Sequence, residues 1–296
     1  MNDATIVLKV FKTSIPLILL LVITAHASSS AKTAAAIDKV TVEELVARHL
    51  EAIGTNEARA AVGSRVMVGL SHVTFRINGI SQAEGKVVMA SDGVKNLLSI
   101  VFGLNDYPHE MVGYDGKKVT AAQLRPSQYS VLGNFLLANN NVLKEGLFGG
   151  TLSSAWPLLN LKERNPHLKY AGMTKVDNRS LHKLEYIPRN GSDLRINIFI
   201  DGENFQHVRT DYQQVISAQM GNSPETSAQQ TATTYRMIEE FSDFKNESGL
   251  NLPHRYKLQL TIQTRGKTFE GSWDCELSQF IFNKTIDIKE FNVATQ

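Results

Sequence analysis

Arg255-Tyr256-Lys257-Leu258-Gln259-Leu260-Thr261-Ile262-Gln263 decides the reading of this chain. Tyr256, Leu258, Leu260 and Ile262 fall on one side, while Arg255, Lys257, Gln259 and Thr261 fall on the other. Strict alternation predicts a strand with one buried face and one wet face. The same pattern recurs on both sides. Leu194, Ile196, Ile198 and Ile200 share a face, as do Leu98, Ile100 and Phe102. Strands are expected over 64–77, 81–90, 94–102, 111–114, 117–121, 169–176, 180–187, 194–200, 205–215, 233–244, 253–265 and 269–282. Asn78-Gly79, Asp115-Gly116 and Asp177-Asn178-Arg179 are among the turns between them. Short turns between successive strands make an antiparallel meander the economical topology.

Two segments break the pattern. Thr41 and Glu44 form a capping box ahead of Val42, Leu45, Val46, Leu50 and Ile53, and Gly54 stops that helix. Over 126–161, helical spacing replaces alternation, until Gly149-Gly150 and Pro157 interrupt it. This stretch is too apolar for a solvated loop. It must insert into or cap the concave side of the sheet. The expected fold is α+β: one antiparallel sheet curved into an unclosed barrel around the N-terminal helix and the insert.

Lys9 and Lys12, the apolar run from Ile15 to Ile23, and Ala25-His26-Ala27 read as an export signal cleaved after Ala27. An uncleaved N-terminal anchor is the competing reading. A flexible leader at 28–37 and one domain at 38–296 are expected to follow, with a mobile polar loop at 218–231. No second apolar run of spanning length follows, so the mature protein is expected not to be an integral membrane protein. The full chain has a formal charge of +2. Two lysines against Asp3 in the first 27 residues leave +1 for the remainder. That balance excludes the basic face of a nucleic-acid binder. Cys275 is the only cysteine, so no internal disulfide can form, and a buried inert thiol is expected.

Catalytic motifs are absent. The chain has no G-x-S-x-G elbow, no H-E-x-x-H helix and no glycine-rich phosphate loop. His109-Glu110 lacks the second histidine of a zinc helix. His167, His182, His207 and His254 are expected at strand ends or on wet faces. Asp201, Asp243 and Asp287 sit where turns are expected, as backbone caps. No enzyme, catalytic residue, metal or cofactor is expected.

Three stretches carry a resemblance. The first runs through Tyr170-Ala171-Gly172, Val176-Asp177-Asn178-Arg179, Leu184-Glu185-Tyr186, Ile200-Asp201-Gly202-Glu203 and His207-Val208-Arg209. The second is Phe241-Ser242-Asp243-Phe244 with Gly249-Leu250-Asn251-Leu252-Pro253-His254. The third is Asn283-Lys284-Thr285-Ile286-Asp287 with Phe291. Together they resemble the bacterial outer-membrane lipoprotein-sorting, LolA-like superfamily. The resemblance implies a periplasmic half-barrel whose apolar cavity holds acyl chains. It also implies an arginine that latches the lid, in the strand region after Gly85-Lys86-Val87-Val88-Met89. This chain has Ala90, Ser91 and Asp92 there.

The expected cavity lining is Leu98, Ile100 and Phe102 from one strand, Ile196 and Ile198 from a second, and Leu258 and Leu260 from a third. The expected lid side chains are Phe135, Leu136, Leu147, Phe148 and Trp156. The expected function is non-covalent binding of a lipid or a lipoprotein acyl chain. Two other readings remain. One is a periplasmic sensor that binds an envelope protein through a sheet edge or the 218–231 loop, in the manner of envelope-stress regulators. The other is an exported hydrolase assembled from distant residues.

Overall fold

A computed structural model describes residues 40–77, 79–218 and 232–294. The export signal, the leader, Asn78 of the first hairpin turn and almost all of the 218–231 loop lie outside the described residues. Helix α1 (Val42–Ile53) starts as its sequence requires. Thr41 Oγ1 accepts from the Glu44 N–H at 3.1 Å, and Gly54 ends the helix. Only half of the capping box forms, because the Glu44 carboxylate pairs with Arg48 instead of returning to Thr41. A second, short helix α2 (Asn56–Ala60) follows.

Five strands then meander outward: β1 (Ser64–Arg76), β2 (Ile80–Asp92), β3 (Lys95–Val101), β4 (His109–Tyr114) and β5 (Val119–Ala121). The insert comes next. It holds a small hairpin, β6 (Gln123–Arg125) and β7 (Gln128–Tyr129), and three short helices. These are α3 (Val131–Ala138), α4 (Asn141–Lys144) and α5 (Leu161–Arg164). Two single-turn helices, Gly150–Leu152 and Pro157–Asn160, lie between α4 and α5.

Strands resume with β8 (His167–Val176), β9 (Arg179–Ile187), β10 (Arg195–Asp201) and β11 (His207–Ile216). The last three are β12 (Thr233–Glu247), β13 (Leu250–Thr264) and β14 (Lys267–Phe282). All of the expected strands are present, with ends moved by a few residues.

The strand order is β5-β4-β3-β2-β1-β14-β13-β12-β11-β10-β9-β8, and every pairing is antiparallel. Two meanders therefore meet at the β1–β14 seam. The outer edges, β5 and β8, do not pair with each other, so the sheet is an unclosed barrel. The seam is tight. At Gly69 an added Cβ would stand 1.9 Å from the Glu276 carbonyl oxygen, so no larger side chain fits the register shift between Val68 and Gly69.

The insert joins one unpaired edge to the other. Helix α3 packs on β4 and β5, while the Gly150–Leu152 turn packs on β11 and β13. Both wings of the sheet, α1 and the insert contribute to a single hydrophobic core. No helix among the described residues is long and apolar enough to cross a membrane. Cys275 is buried against Ser71, and burial pushes its thiol up to about 12, so it stays protonated and inert.

Candidate functional site

The concave face is the place to look for function, because β5 and β8 leave it unsealed. Leu98, Ile100 and Phe102 reach it from the wing before the insert. Ile196, Ile198, Leu258 and Leu260 reach it from the other wing. From the insert, Phe135, Leu136, Leu147, Phe148 and Trp156 point into the same space. All twelve belong to one continuous core, and none is more than 9% exposed. The structure thus packs all twelve side chains into one core. The insert fills the concavity.

Polar tethers fix the insert in place. Glu239 on β12 is fully buried between Met237 and Phe241, which share its face. Its Oε1 accepts from the Gly149 N–H at 2.7 Å and from the Tyr256 hydroxyl at 2.8 Å, and its Oε2 accepts from the Tyr212 hydroxyl at 2.6 Å. Trp156 is also fully buried. Its indole N–H donates to His49 Nε2 at 3.0 Å, and its ring stacks on His207 with centroids 4.4 Å apart. His49 Nδ1 in turn meets the Phe205 carbonyl at 2.9 Å. His207 was expected on a wet strand end. It is instead wholly buried between Trp156 and Phe241, with Nε2 2.8 Å from Thr210 Oγ1. Gly150 permits this packing: at φ +50° it takes a left-handed turn, and a Cβ there would sit 2.6 Å from the His207 ring.

A buried arginine also holds the insert, although positions 90–92 carry none. Arg65 on β1 is directly opposite Ser91 of β2. Its guanidinium, 1% exposed, donates to the Thr151 carbonyl at 2.6 Å and the Ser153 carbonyl at 3.5 Å. Ser91 Oγ itself accepts from the Ser154 N–H at 2.9 Å. No carboxylate pairs with Arg65 among the described residues. Arg65 Nε, Thr151 Oγ1 and His207 Nδ1 have no hydrogen-bond partner among the described residues.

A separate cleft of about 300 Å³ opens beside the start of the insert. Phe75, Tyr107, Phe269 and Trp273 line it, with Glu110 among them. Glu110 accepts from Tyr107 at 2.5 Å and from Ser130 Oγ at 2.6 Å, and Ser130 caps α3 through the Gly133 N–H. Among the described residues no group of His, Cys, Asp or Glu is placed to hold a metal.

The buried titratable groups pull stability in opposite directions. Burial pushes Glu110 and Glu239 up from 4.5 to about 7, against the pull of their hydrogen bonds. Burial also lowers His49 from 6.5 to about 4, and burial together with His49 holds His207 well below 6.5. A raised carboxyl contributes stability that is complete below pH 4.5 and lost as pH rises through 7. A lowered histidine contributes stability that is complete above 6.5 and lost as pH falls through about 4. The slopes offset each other between these limits. Glu239→Gln removes one falling slope. Its stability relative to wild type should therefore gain about 2 kcal/mol between pH 5 and 7, measured by urea denaturation at each pH. A constant difference across that range would mean that Glu239 is ionised throughout.

No protein-family model matches the chain, and no curated protein matches it. Among solved structures it is similar to a LolA superfamily protein from Nitrosomonas europaea. That match has 11% identity, covers 86% of this chain and 98% of that one, and has a TM-score of 0.46. It is similar to an outer membrane lipoprotein-sorting protein domain from Vibrio parahaemolyticus, with 13% identity, 83% and 97% coverage and a TM-score of 0.39. It is also similar to a DUF1329 family protein from Desulfovibrio piger, with 9% identity, 85% and 97% coverage and a TM-score of 0.39.

Proposed function

We propose that the protein is a periplasmic, non-enzymatic carrier that holds a lipid or lipoprotein acyl chain against the concave face of its sheet. One observation carries this reading. The cover of the concave face is a separate apolar segment that spans the two unpaired edges, rather than part of the sheet. Such a segment can leave without breaking a strand pairing.

An acyl chain offers the lining what the insert offers it. Each methylene removed from water contributes about 0.8 kcal/mol, so a dozen buried carbons supply on the order of 10 kcal/mol. Cargo and insert would compete for Ile198, Leu258 and Leu260, which makes both loading and release exchanges of one apolar cover for another.

Native mass spectrometry of the protein, isolated from a periplasmic fraction without detergent, tests the reading. The expected result is a bound acyl species, which organic extraction recovers. Ile198→Glu, if its far-ultraviolet spectrum keeps the strand signature, is expected to lose that species. A clean unliganded mass, together with failure of the wild type to take up a fluorescent fatty acid, would overturn the carrier reading. It would favour a partner-binding module on the same fold.

A further inference from the structure

We propose that the cleft beside Glu110 binds an alkylammonium head group, a small quaternary or protonated amine on an apolar tail. This deepens the carrier reading and rests on it for the tail.

The cleft has the chemistry of an ammonium site. Phe75 stands edge-on to Tyr107 (5.0 Å, 90°) and to Trp273 (5.6 Å, 81°), and it is tilted to Phe269 (6.0 Å, 34°). Trp273 is 1% exposed and Phe102 stacks on Tyr107 (5.0 Å, 25°), so the half-buried Phe75 and Phe269 supply most of the accessible ring surface, and the negative faces of such rings attract a cation. Glu110 adds the only carboxylate among the lining residues, which include no lysine, arginine or histidine. An anionic head would find no counter-charge there.

Glu110 is 2% exposed, and no cationic side chain pairs with it among the described residues. Its two hydrogen bonds use about half of the lone-pair sites that a carboxylate offers. A buried carboxyl without a counter-ion is costly, and a cation in the cleft offsets that cost. The volume of about 300 Å³ is at the small end for a ligand site, so it suits a head group and the first carbons of a tail. The cleft adjoins the N-terminus of α3, through Ser130 and Val131. A tail leaving it has the apolar insert beside it.

The test compares three ten-carbon amphiphiles below their micelle concentrations: decyltrimethylammonium, decyl maltoside and decanoate. At pH 8, where Glu110 is ionised, titration calorimetry of the wild type should show the ammonium binding about tenfold more tightly than the other two, as a cation–π contact plus a charge pair implies. Glu110→Gln keeps the shape and the acceptor for Ser130. It should erase that margin and leave decyl maltoside unchanged. Equal binding of all three tails by both proteins would overturn the head-group proposal while leaving the carrier reading intact. Failure of all three to bind would overturn both. The decyltrimethylammonium complex of the unaltered protein provides a further check. At saturation it should shift the indole N–H resonance of Trp273, which donates to Tyr107 at 3.1 Å, and decyl maltoside should not. No shift with the ammonium, or an equal shift with both, would also overturn the proposal.

Discussion

Glu239→Ala should cost about 3 to 5 kcal/mol of unfolding free energy, read as a fall in the urea midpoint. The size of the effect follows from what is left behind. Three donors converge on this carboxyl: the hydroxyls of Tyr212 and Tyr256 and the N–H of Gly149. All three are buried, and each unpaired donor costs about 1 to 3 kcal/mol. Relaxation and a smaller desolvation burden reduce the sum. Glu239→Gln is the companion variant. It retains an acceptor for Gly149 and Tyr256, and Tyr212 can rotate to accept from the amide. Its cost at neutral pH should stay near 1 kcal/mol, the scale of one rearranged hydrogen bond. If alanine and glutamine prove equal, the network does not hold the insert.

Trp156→Ala should cost a similar amount, about 3 to 5 kcal/mol, as large-to-small changes of buried aromatic residues do. Here the lost volume lies at the junction of the insert, α1 and β11. His207 loses its stacking partner and His49 Nε2 loses its donor. The carrier reading adds a second expectation. The void opens within the core that also holds the expected lining, so the variant should bind a fluorescent fatty acid more readily than wild type while it remains folded. Loss of stability without any change in uptake would assign Trp156 to plain core packing.

The sheet was legible because alternation is local. Tyr256, Leu258 and Leu260 declare their face without reference to any other strand, and β13 follows that declaration. The seam between β1 and β14 was not legible. It joins residues some two hundred positions apart, and no turn motif marks it. The burial of Leu98, Ile198, Leu258 and Leu260 was legible for the same reason: they are large apolar side chains on inward strand positions.

The polar groups that tether the insert escaped notice, although parity could have found them. Glu239 shares its face with Met237 and Phe241, and Glu110 shares its face with Val112. Arg65 shares its face with Met67. A charged residue on an inward position announces a buried network. His109-Glu110 lacks the second histidine of a metal motif, yet Glu110 is buried on the inward face of β4. The tether at Thr151–Ser154 is shared between two neighbouring strands, Arg65 on one and Ser91 on the other, a pairing that no single strand segment declares. His207 looked exposed because it lies at a strand end. Its burial comes from Trp156, an element more than fifty residues earlier in the chain, which only the fold brings near.

Hydrogen exchange with and without a saturating fatty acid tests most directly whether acyl chain and insert share the concave face. Exchange at 131–161 should rise on loading, while the amides of β10 and β13 stay protected. Unchanged or slower exchange at 131–161 with ligand bound would contradict displacement of the insert, and with it the proposed seat of the acyl chain.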